Sequence, residues 1–304
     1  MGAVLAVLNN WADAGRLIEN AKRLAKARGE EVFIYCPVAN ALEELNRYIG
    51  FENYESVKDE LLLESEERLE ELTEAEGLET CVEWQPVPYK AVLNKAQELS
   101  ACTIVMSVSE HSIVGDLLHK PDDWHLLREA ACPVWLVGKA LSWATGSGSG
   151  FSSAHSSPAR VTVAVDVLDE EEEHQSTVAR LLDQAQLFSQ LFDVPLRVVS
   201  VLPDPSRMFS DLTLSDSTLM EDFRKEADAR VFERQSRILT RLGIQADSCA
   251  VIMGQVDQEL RNILSKDGFL AIGTAAKTGV KGFFLGNTAE RLLHHLDGDM
   301  LVVS

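Results

Sequence analysis

The chain has 304 residues, of which 46% are hydrophobic and 25% are charged, and its formal net charge is −20. This length is enough for two domains with separate cores, and the composition is typical of a globular protein. The negative charge argues against nucleic acid or an anionic membrane as the main partner, because both would repel the chain. No apolar run is long enough to cross a bilayer and no secretory signal is evident, so we expect a cytoplasmic protein.

The first half of the chain shows alternating strand and helix patterns. The continuous apolar run from Ala3 to Leu8 predicts a strand buried on both faces, and apolar residues at helical spacing predict a helix over 12–28. Pro37 is expected to end the second strand, because proline cannot donate a hydrogen bond inside a sheet. The remaining strands are predicted at 32–36, 78–84, 103–106 and 133–137, and the remaining helices at 40–76, 89–99 and 122–130. The apolar stripe of the acidic helical region is predicted to be Leu61, Leu62, Leu69 and Leu72.

A segment rich in glycine and serine, 141–158, interrupts this alternation and predicts a flexible linker. The alternation then starts again. Strands are predicted at 161–165, 196–201, 244–252, 269–272 and 300–303, and helices at 171–192, 216–242, 257–264 and after Gly286. The fourth and fifth strands recur with a constant offset of 166 positions, so we predict a duplicated five-stranded α/β unit with parallel strands. The two domains are expected at 1–140 and 159–304.

The five cysteines are scattered and show no C-x-x-C spacing. They are Cys36, Cys81, Cys102, Cys132 and Cys249. Three of them lie in apolar strand-like runs, which favours buried, reduced thiols over bridges or metal ligands.

A glycine-punctuated loop near the C-terminus follows the strand that ends at Gly273, and Gly286 then opens a helix. Glycines allow backbone N–H groups to approach an anion closely, and a helix start adds a favourable dipole. The order strand, glycine loop and helix therefore predicts phosphate binding. A structural alternative for the helix start is a capping box that pairs Asn287 with Glu290.

Each half resembles the universal stress protein family, and the whole chain is similar to the tandem, E-type members. The resemblance is most specific in GTAAKTGVKGFFLGNTAE (273–290), and also in HKPDDWHLLR (119–128) followed by CPVWLV (132–137). It implies a doubly wound, Rossmann-like parallel sheet in each half. It also implies a ligand site at the switch point, where the loops after the first and fourth strands diverge.

ATP-binding members of the family carry G-x2-G-x9-G-[ST] after the fourth strand and an aspartate after the first. This spacing falls on Gly273, Ala276, Gly286 and Asn287, and Asp166 stands at the aspartate position. Ala276 and Asn287 depart from the family pattern. The resemblance implies that the second half binds an adenine nucleotide, ATP or AMP, with or without magnesium. The implied site residues are Asp166, Val201, Ile272, Gly273, Ala276, Gly286, Asn287, Thr288 and Ala289.

The nucleotide site of the first half is predicted to be lost. The same spacing falls there on Ser107, Glu110, Lys120 and Pro121, and Asn9 replaces the aspartate. No glycine of the motif remains, and Glu110 would repel a phosphate.

We predict no catalytic residues and at most a slow ATPase, because the sequence supplies no positioned general base with an electrophile. We also predict no metal site. His119, Asp122, Asp123 and His125 match no metal template and are more typical of a helix start. The resemblance implies a stress-response role and a homodimer. The alternative function is a nucleotide-free interaction protein whose cleft holds a partner or an apolar ligand.

Overall fold

A computed structural model describes most of the chain. The described residues are 2–8, 10–38, 43, 46, 50, 52–74, 77–107, 124–138, 158–169, 171–203, 217–274 and 298–304. The chain divides into two compact units, Met1–Lys139 with Ser304 and Ala140–Val303. Most of the predicted linker lies outside the described residues. No helix in the described part is both long and apolar enough to span a membrane.

The first unit contains five parallel strands in the order β3-β2-β1-β4-β5. The strands are β1 (Ala3–Val7), β2 (Glu31–Val38), β3 (Glu79–Trp84), β4 (Thr103–Ser107) and β5 (Val134–Val137). Among the described residues, the helices with defined bounds are α1 (Ala14–Arg28), α2 (Tyr54–Thr73), α3 (Pro88–Glu98) and α4 (Trp124–Glu129), with a 3-10 turn at Trp11–Asp13. Gly29 ends α1 in the left-handed region, with φ of 69°, where glycine carries no steric penalty.

The second unit repeats this topology in the order β8-β7-β6-β9-β10. Its strands are β6 (Arg160–Ala164), β7 (Leu196–Leu202), β8 (Ser248–Met253), β9 (Gly268–Gly273) and β10 (Asp299–Val303). Its described helices are α5 (Glu172–Phe192), α6 (Ser217–Leu242) and α7 (Val256–Asp267). In each unit the first strand lies between the second and the fourth, which creates a switch point. The predicted pair of doubly wound, five-stranded parallel sheets is therefore confirmed.

Aromatic residues form part of the core of the second unit. Phe188 and Phe192 of α5 pack against Phe269 of β9, with ring centroids 5.1 and 5.7 Å away. All three side chains are buried. Their spacing of four along α5 places both helical rings on the face that covers the sheet.

The prediction that Pro37 ends the second strand is wrong. β2 continues through Pro37 to Val38, and Pro37 pairs with Glu83 of β3. On the β1 side, the last pair joins Val7 to Tyr35, so β1 has ended at the level of Pro37. The missing N–H therefore costs the β2–β3 ladder no hydrogen bond, because the strand alternation turns the nitrogen of Pro37 to the β1 side, just beyond the last bond there, from Leu8 N to Tyr35 O.

The predicted apolar stripe of the acidic helix is wrong at Leu72, which is 42% exposed. The buried residues of α2 are Ser65, Leu69 and Thr73, which follow one another at intervals of four. Ser65 Oγ donates to Leu61 O at 2.7 Å and Thr73 Oγ1 donates to Leu69 O at 2.8 Å. These bonds satisfy the hydroxyls within the helix, so small polar residues can occupy the buried face.

Candidate functional site

A cavity of about 400 Å³ opens at the carboxyl ends of β6, β7 and β9 in the second unit. It lies at the switch point, because β6 separates β7 from β9. Four of the nine predicted site residues line it, namely Asp166, Val201, Ile272 and Gly273. The other five lie outside the described residues: Ala276, Gly286, Asn287, Thr288 and Ala289.

Helices α6 and α7 supply a wall of the cavity that the sequence analysis missed. Val231 of α6 and Val256 and Leu260 of α7 line it. Apolar side chains also come from the strand ends and the following loops. These residues are Val165, Val167, Leu168, Leu202 and Pro203. The cavity is thus apolar over most of its wall, with Asp166 and Ser200 as its polar side chains.

The carboxyl end of β7 presents a backbone donor and acceptor beside this cavity. Val199 O accepts from Val165 N at 2.9 Å on the β6 side, whereas Leu202 O accepts from Gly254 N at 2.9 Å on the β8 side. Successive residues of a strand direct their N–H and C=O groups to alternate neighbours, so the groups of Val201 face the β6 side. β6 has already ended at this level. The N–H and C=O of Val201 therefore face the cavity that this residue lines.

Two Asx turns shape the loop after β6. Asp166 Oδ1 accepts from Leu168 N at 2.9 Å, and Asp169 Oδ1 accepts from Glu171 N at 3.0 Å. His174 Nε2 of α5 lies 2.6 Å from Asp166 O. The turn uses one carboxylate oxygen of Asp166, and no described residue bonds to its Oδ2. Within the described part of the chain, this oxygen is therefore available as a hydrogen-bond acceptor.

Arg234 of α6 holds the same loop from the other side. Its Nη1 donates to Val167 O at 3.3 Å and to Leu168 O at 3.2 Å. Both acceptor residues line the cavity. Arg234 is therefore a positioning residue for the cavity mouth.

A buried hydrogen-bond chain supports the cavity beneath Ser200. Ser200 Oγ donates to Val165 O at 2.7 Å and accepts from Gln235 Nε2 at 3.0 Å. Gln235 is 1% exposed, and the same nitrogen donates to Ala250 O at 3.2 Å. The chain ties α6 to the ends of β6, β7 and β8 and so fixes the floor of the cavity. Sequence patterns could have flagged Gln235 only as a polar residue on a buried helical face.

The first unit lacks the backbone donor found at Val201. Val7 of β1 pairs with Tyr35, and Ala164 of β6 pairs with Val199. The position of the motif aspartate comes two residues after Val7 in the first unit and two residues after Ala164 in the second. Pro37 is thus the counterpart of Val201, and proline has no N–H. Of the residues predicted to mark the lost site, Ser107 is buried at the end of β4. The others, Asn9, Glu110, Lys120 and Pro121, lie outside the described residues.

Within the described ranges, no group of three or more His, Cys, Asp and Glu side chains could hold a metal ion. His125 Nδ1 lies 2.9 Å from Glu129 Oε1, and its ring stacks on Tyr89 with a centroid separation of 5.4 Å. The other three residues of that sequence cluster, His119, Asp122 and Asp123, are outside the described part.

The model of the universal stress protein family matches residues 1–138 and again residues 159–304. The chain belongs to this family. Universal stress protein E of Escherichia coli K12 is 24% identical over 230 residues, which cover 74% of this chain and 68% of the relative. The predicted tandem, E-like architecture is confirmed by the double match and by this likeness.

Solved universal stress proteins share the fold of the chain. A structure from Pseudomonas aeruginosa UCBPP-PA14 is 21% identical and covers 99% of this chain and 92% of that one, with a TM-score of 0.65. A universal stress protein solved in complex with cAMP is 15% identical, covers 48% of this chain and 97% of that one, and has a TM-score of 0.30. At 21% identity, the likeness to the Pseudomonas aeruginosa structure concerns the fold, and the ligand of this universal stress protein stays a prediction.

Proposed function

We propose that this protein is a cytoplasmic stress-response protein whose C-terminal half binds an adenine nucleotide, ATP or AMP, with or without magnesium. The observation that carries the proposal is the backbone of Val201 at the cavity. One N–H and one C=O side by side match the edge of adenine, where N1 accepts and the N6 amino group donates. Guanine offers the opposite pattern at this edge, so GTP should bind more weakly than ATP.

The other contacts of the nucleotide are assigned partly to residues that the structure describes and partly to residues predicted from the sequence. The apolar wall around Val165, Val231 and Ile272 suits the faces of a base. The free carboxylate oxygen of Asp166 suits a ribose hydroxyl at a switch point. The phosphates are assigned, from the sequence, to the backbone of the glycine loop and to the helix start at Gly286–Ala289.

Replacing Asp166 with asparagine tests this assignment. Asparagine keeps an Oδ1 that can accept from Leu168 N, so the loop should survive, but it replaces Oδ2 with a donor. ATP affinity is expected to fall at least tenfold, about 1.4 kcal/mol, in equilibrium dialysis. Asp169→Asn is the matched control, because Asp169 makes the same turn with Glu171 but does not line the cavity. If the wild-type protein, Asp166→Asn and Asp169→Asn bind ATP with equal affinity, Asp166 does not contribute to the nucleotide site.

We also propose that the domains span 1–140 and 159–304, that residues 141–158 link them, and that the first domain binds no nucleotide. The loss of the N–H at Pro37 supports this asymmetry. A homodimer is proposed from the family resemblance, and sedimentation velocity would test it.

A second candidate function is a nucleotide-free interaction protein. It is favoured by the largely apolar cavity wall, which also suits an apolar ligand or a partner side chain. Mass spectrometry of the supernatant from the denatured, purified protein distinguishes the two. A released adenine nucleotide supports the first function, and a released apolar molecule supports the second.

A further inference from the structure

Strand β8 lies at the edge of the sheet in the second unit. It is the last strand in the order β8-β7-β6-β9-β10, and among the described residues it pairs with β7 alone. Gly254 N donates to Leu202 O of β7 at 2.9 Å. Because successive residues of a strand alternate between its two sides, the N–H and C=O groups of Cys249, Val251 and Met253 point away from β7. These backbone groups are a template on which another strand can pair.

The edge of β8 lacks the charges found on the equivalent edge of the first unit. Edge strands usually carry charged residues or proline, which discourage another strand from pairing with them. β3 is the counterpart of β8, and it carries Glu79 and Glu83. β8 has the sequence SCAVIM, without a charged residue, and its last five residues are partly exposed. In a chain with a net charge of −20, an uncharged edge is where a second copy meets the least repulsion.

An exposed phenylalanine of α6 lies beside the same edge. Helix α6 covers β7 and β8, because Gln235 Nε2 donates to Ser200 Oγ of β7 and to Ala250 O of β8. Arg234 bonds to the loop after β6 and so marks the flank of α6 that faces the cavity. Phe232 lies about 200° around the helix from Arg234 and about 60° from the sheet-facing Gln235. Its side chain, which is 51% exposed, is therefore on the flank toward the β8 edge.

We propose that β8 and Phe232, together the β8 surface, bind the β8 surface of a second copy about a two-fold axis at Val251. The inference rests on the homodimer proposed above and assigns its interface. In an antiparallel pair centred on this axis, Val251 faces Val251 of the second copy, and Cys249 faces Met253. The backbone groups of all these residues point outward, so each facing pair can exchange two N–H···O bonds.

The same axis brings the two α6 helices to packing distance. Strands lie about 4.8 Å apart, so the axis is about 2.4 Å outside β8, and a helix above the boundary of β7 and β8 is about 2.4 Å inside it. The two helices are then about 10 Å apart, at the upper end of the usual packing range. Gln235 lies level with Ala250, and three residues of helix rise about 4.5 Å, which places Phe232 near the level of Val251. The two Phe232 rings therefore meet near the axis and cover the Val251 pair.

Sedimentation velocity of the full chain over a range of concentrations tests the helix part of the interface. Phe232→Ser should raise the dissociation constant of the dimer at least tenfold, because it removes the aromatic contact at the axis. Phe223→Ser is the matched control. Phe223 is also 51% exposed, but nine residues along α6 correspond to about two and a half turns, so it lies on the opposite side of the helix. This variant should dimerise like the wild type.

Proline variants test the strand pairing in the same experiment. Val251→Pro removes an N–H that points away from β7, so the β7 ladder keeps its bonds and the fold should survive. The dissociation constant of the dimer should again rise at least tenfold. Val82→Pro is the control, because Val82 holds the same position in β3, three residues before the Gln85 N that donates to Val38 O. It should leave dimerisation unchanged.

A cysteine cross-link tests the axis directly. Residues in a hydrogen-bonded antiparallel pair have Cα atoms about 5.5 Å apart, within the range in which disulfides form. Val251→Cys should therefore give a disulfide-linked dimer under mild oxidation, whereas Val82→Cys should not.

Two results would overturn the inference. If the wild-type chain stays monomeric, both the homodimer and its interface are wrong, and the edge of β8 is left for a strand of another protein. If the wild type dimerises but Phe232→Ser and Val251→Pro do not weaken the dimer, the homodimer stands and its assignment to the β8 surface is wrong. Circular dichroism checks the fold of each variant, and if Phe232→Ser or Val251→Pro does not fold, the Val251→Cys cross-link decides.

Discussion

Replacing Asp267 with alanine is expected to lower the free energy of unfolding by about 3 kcal/mol. Asp267 is 1% exposed and accepts from Thr162 Oγ1 at 2.7 Å. Its carboxylate also lies 3.3 Å from Arg160 Nε and 3.5 Å from Arg197 Nη1. Alanine would leave a buried hydroxyl and two cations without their partner. The arginine side chains are 39% and 22% exposed, so hydration keeps the loss at the lower end of the 3–5 kcal/mol typical of buried pairs.

Urea unfolding of the full chain would measure this loss, and Glu233→Ala is its control. Glu233 Oε1 lies 2.6 Å from Arg237 Nη2 on the same helix, and both side chains are exposed. Removing such a surface pair should cost less than about 0.5 kcal/mol. Similar losses for the two variants would show that the buried cluster has no special role in stability.

Replacing Val201 with proline is expected to weaken ATP binding at least 30-fold, about 2 kcal/mol. The change removes the N–H that we assign to adenine N1 and leaves that acceptor unpaired in an apolar cavity. The fold should tolerate it, because the described β6 residues make no pair with Val201, and Pro37 stands at the equivalent position of the first unit.

Val201→Leu is the matched variant, since it changes the side chain but keeps the backbone N–H. Its ATP affinity should stay within about threefold of wild type, a difference below 1 kcal/mol. Calorimetry gives both affinities, and circular dichroism checks the fold. If proline leaves the affinity unchanged, the backbone of Val201 does not bind the base. If leucine causes the larger loss, the side-chain packing matters more than the hydrogen bond.

The order of elements was predictable because local patterns determine it. The apolar run from Ala3 predicts β1, and Gly29 predicts the end of α1. The two errors arose where tertiary context decides. Pro37 is tolerated because its nitrogen faces the β1 side beyond the last β1–β2 bond. The stripe of α2 depends on hydroxyls that bond within the helix.

The site was predictable only where the repeat and the family spacing mark a position. Asp166 comes just after β6 and Gly273 ends β9, and both were found from the sequence. Arg234 and Gln235 were not found from the sequence. Both lie on α6 and bond to residues that are distant in the chain, and only the fold shows where α6 packs. The expectation of buried thiols was also incomplete. Cys36 is buried, whereas Cys81, Cys102, Cys132 and Cys249 are partly exposed, since they lie near strand ends or on edge strands.

The central claim is that one adenine nucleotide binds per chain, in the C-terminal half. Calorimetric titration of the ligand-free protein with ATP, ADP, AMP and GTP, with and without magnesium, tests it most directly. We predict a stoichiometry of one adenine nucleotide per chain, with ATP at least tenfold tighter than GTP, about 1.4 kcal/mol. Two equivalent sites per chain, equal affinities for ATP and GTP, or no binding at millimolar nucleotide would contradict the account.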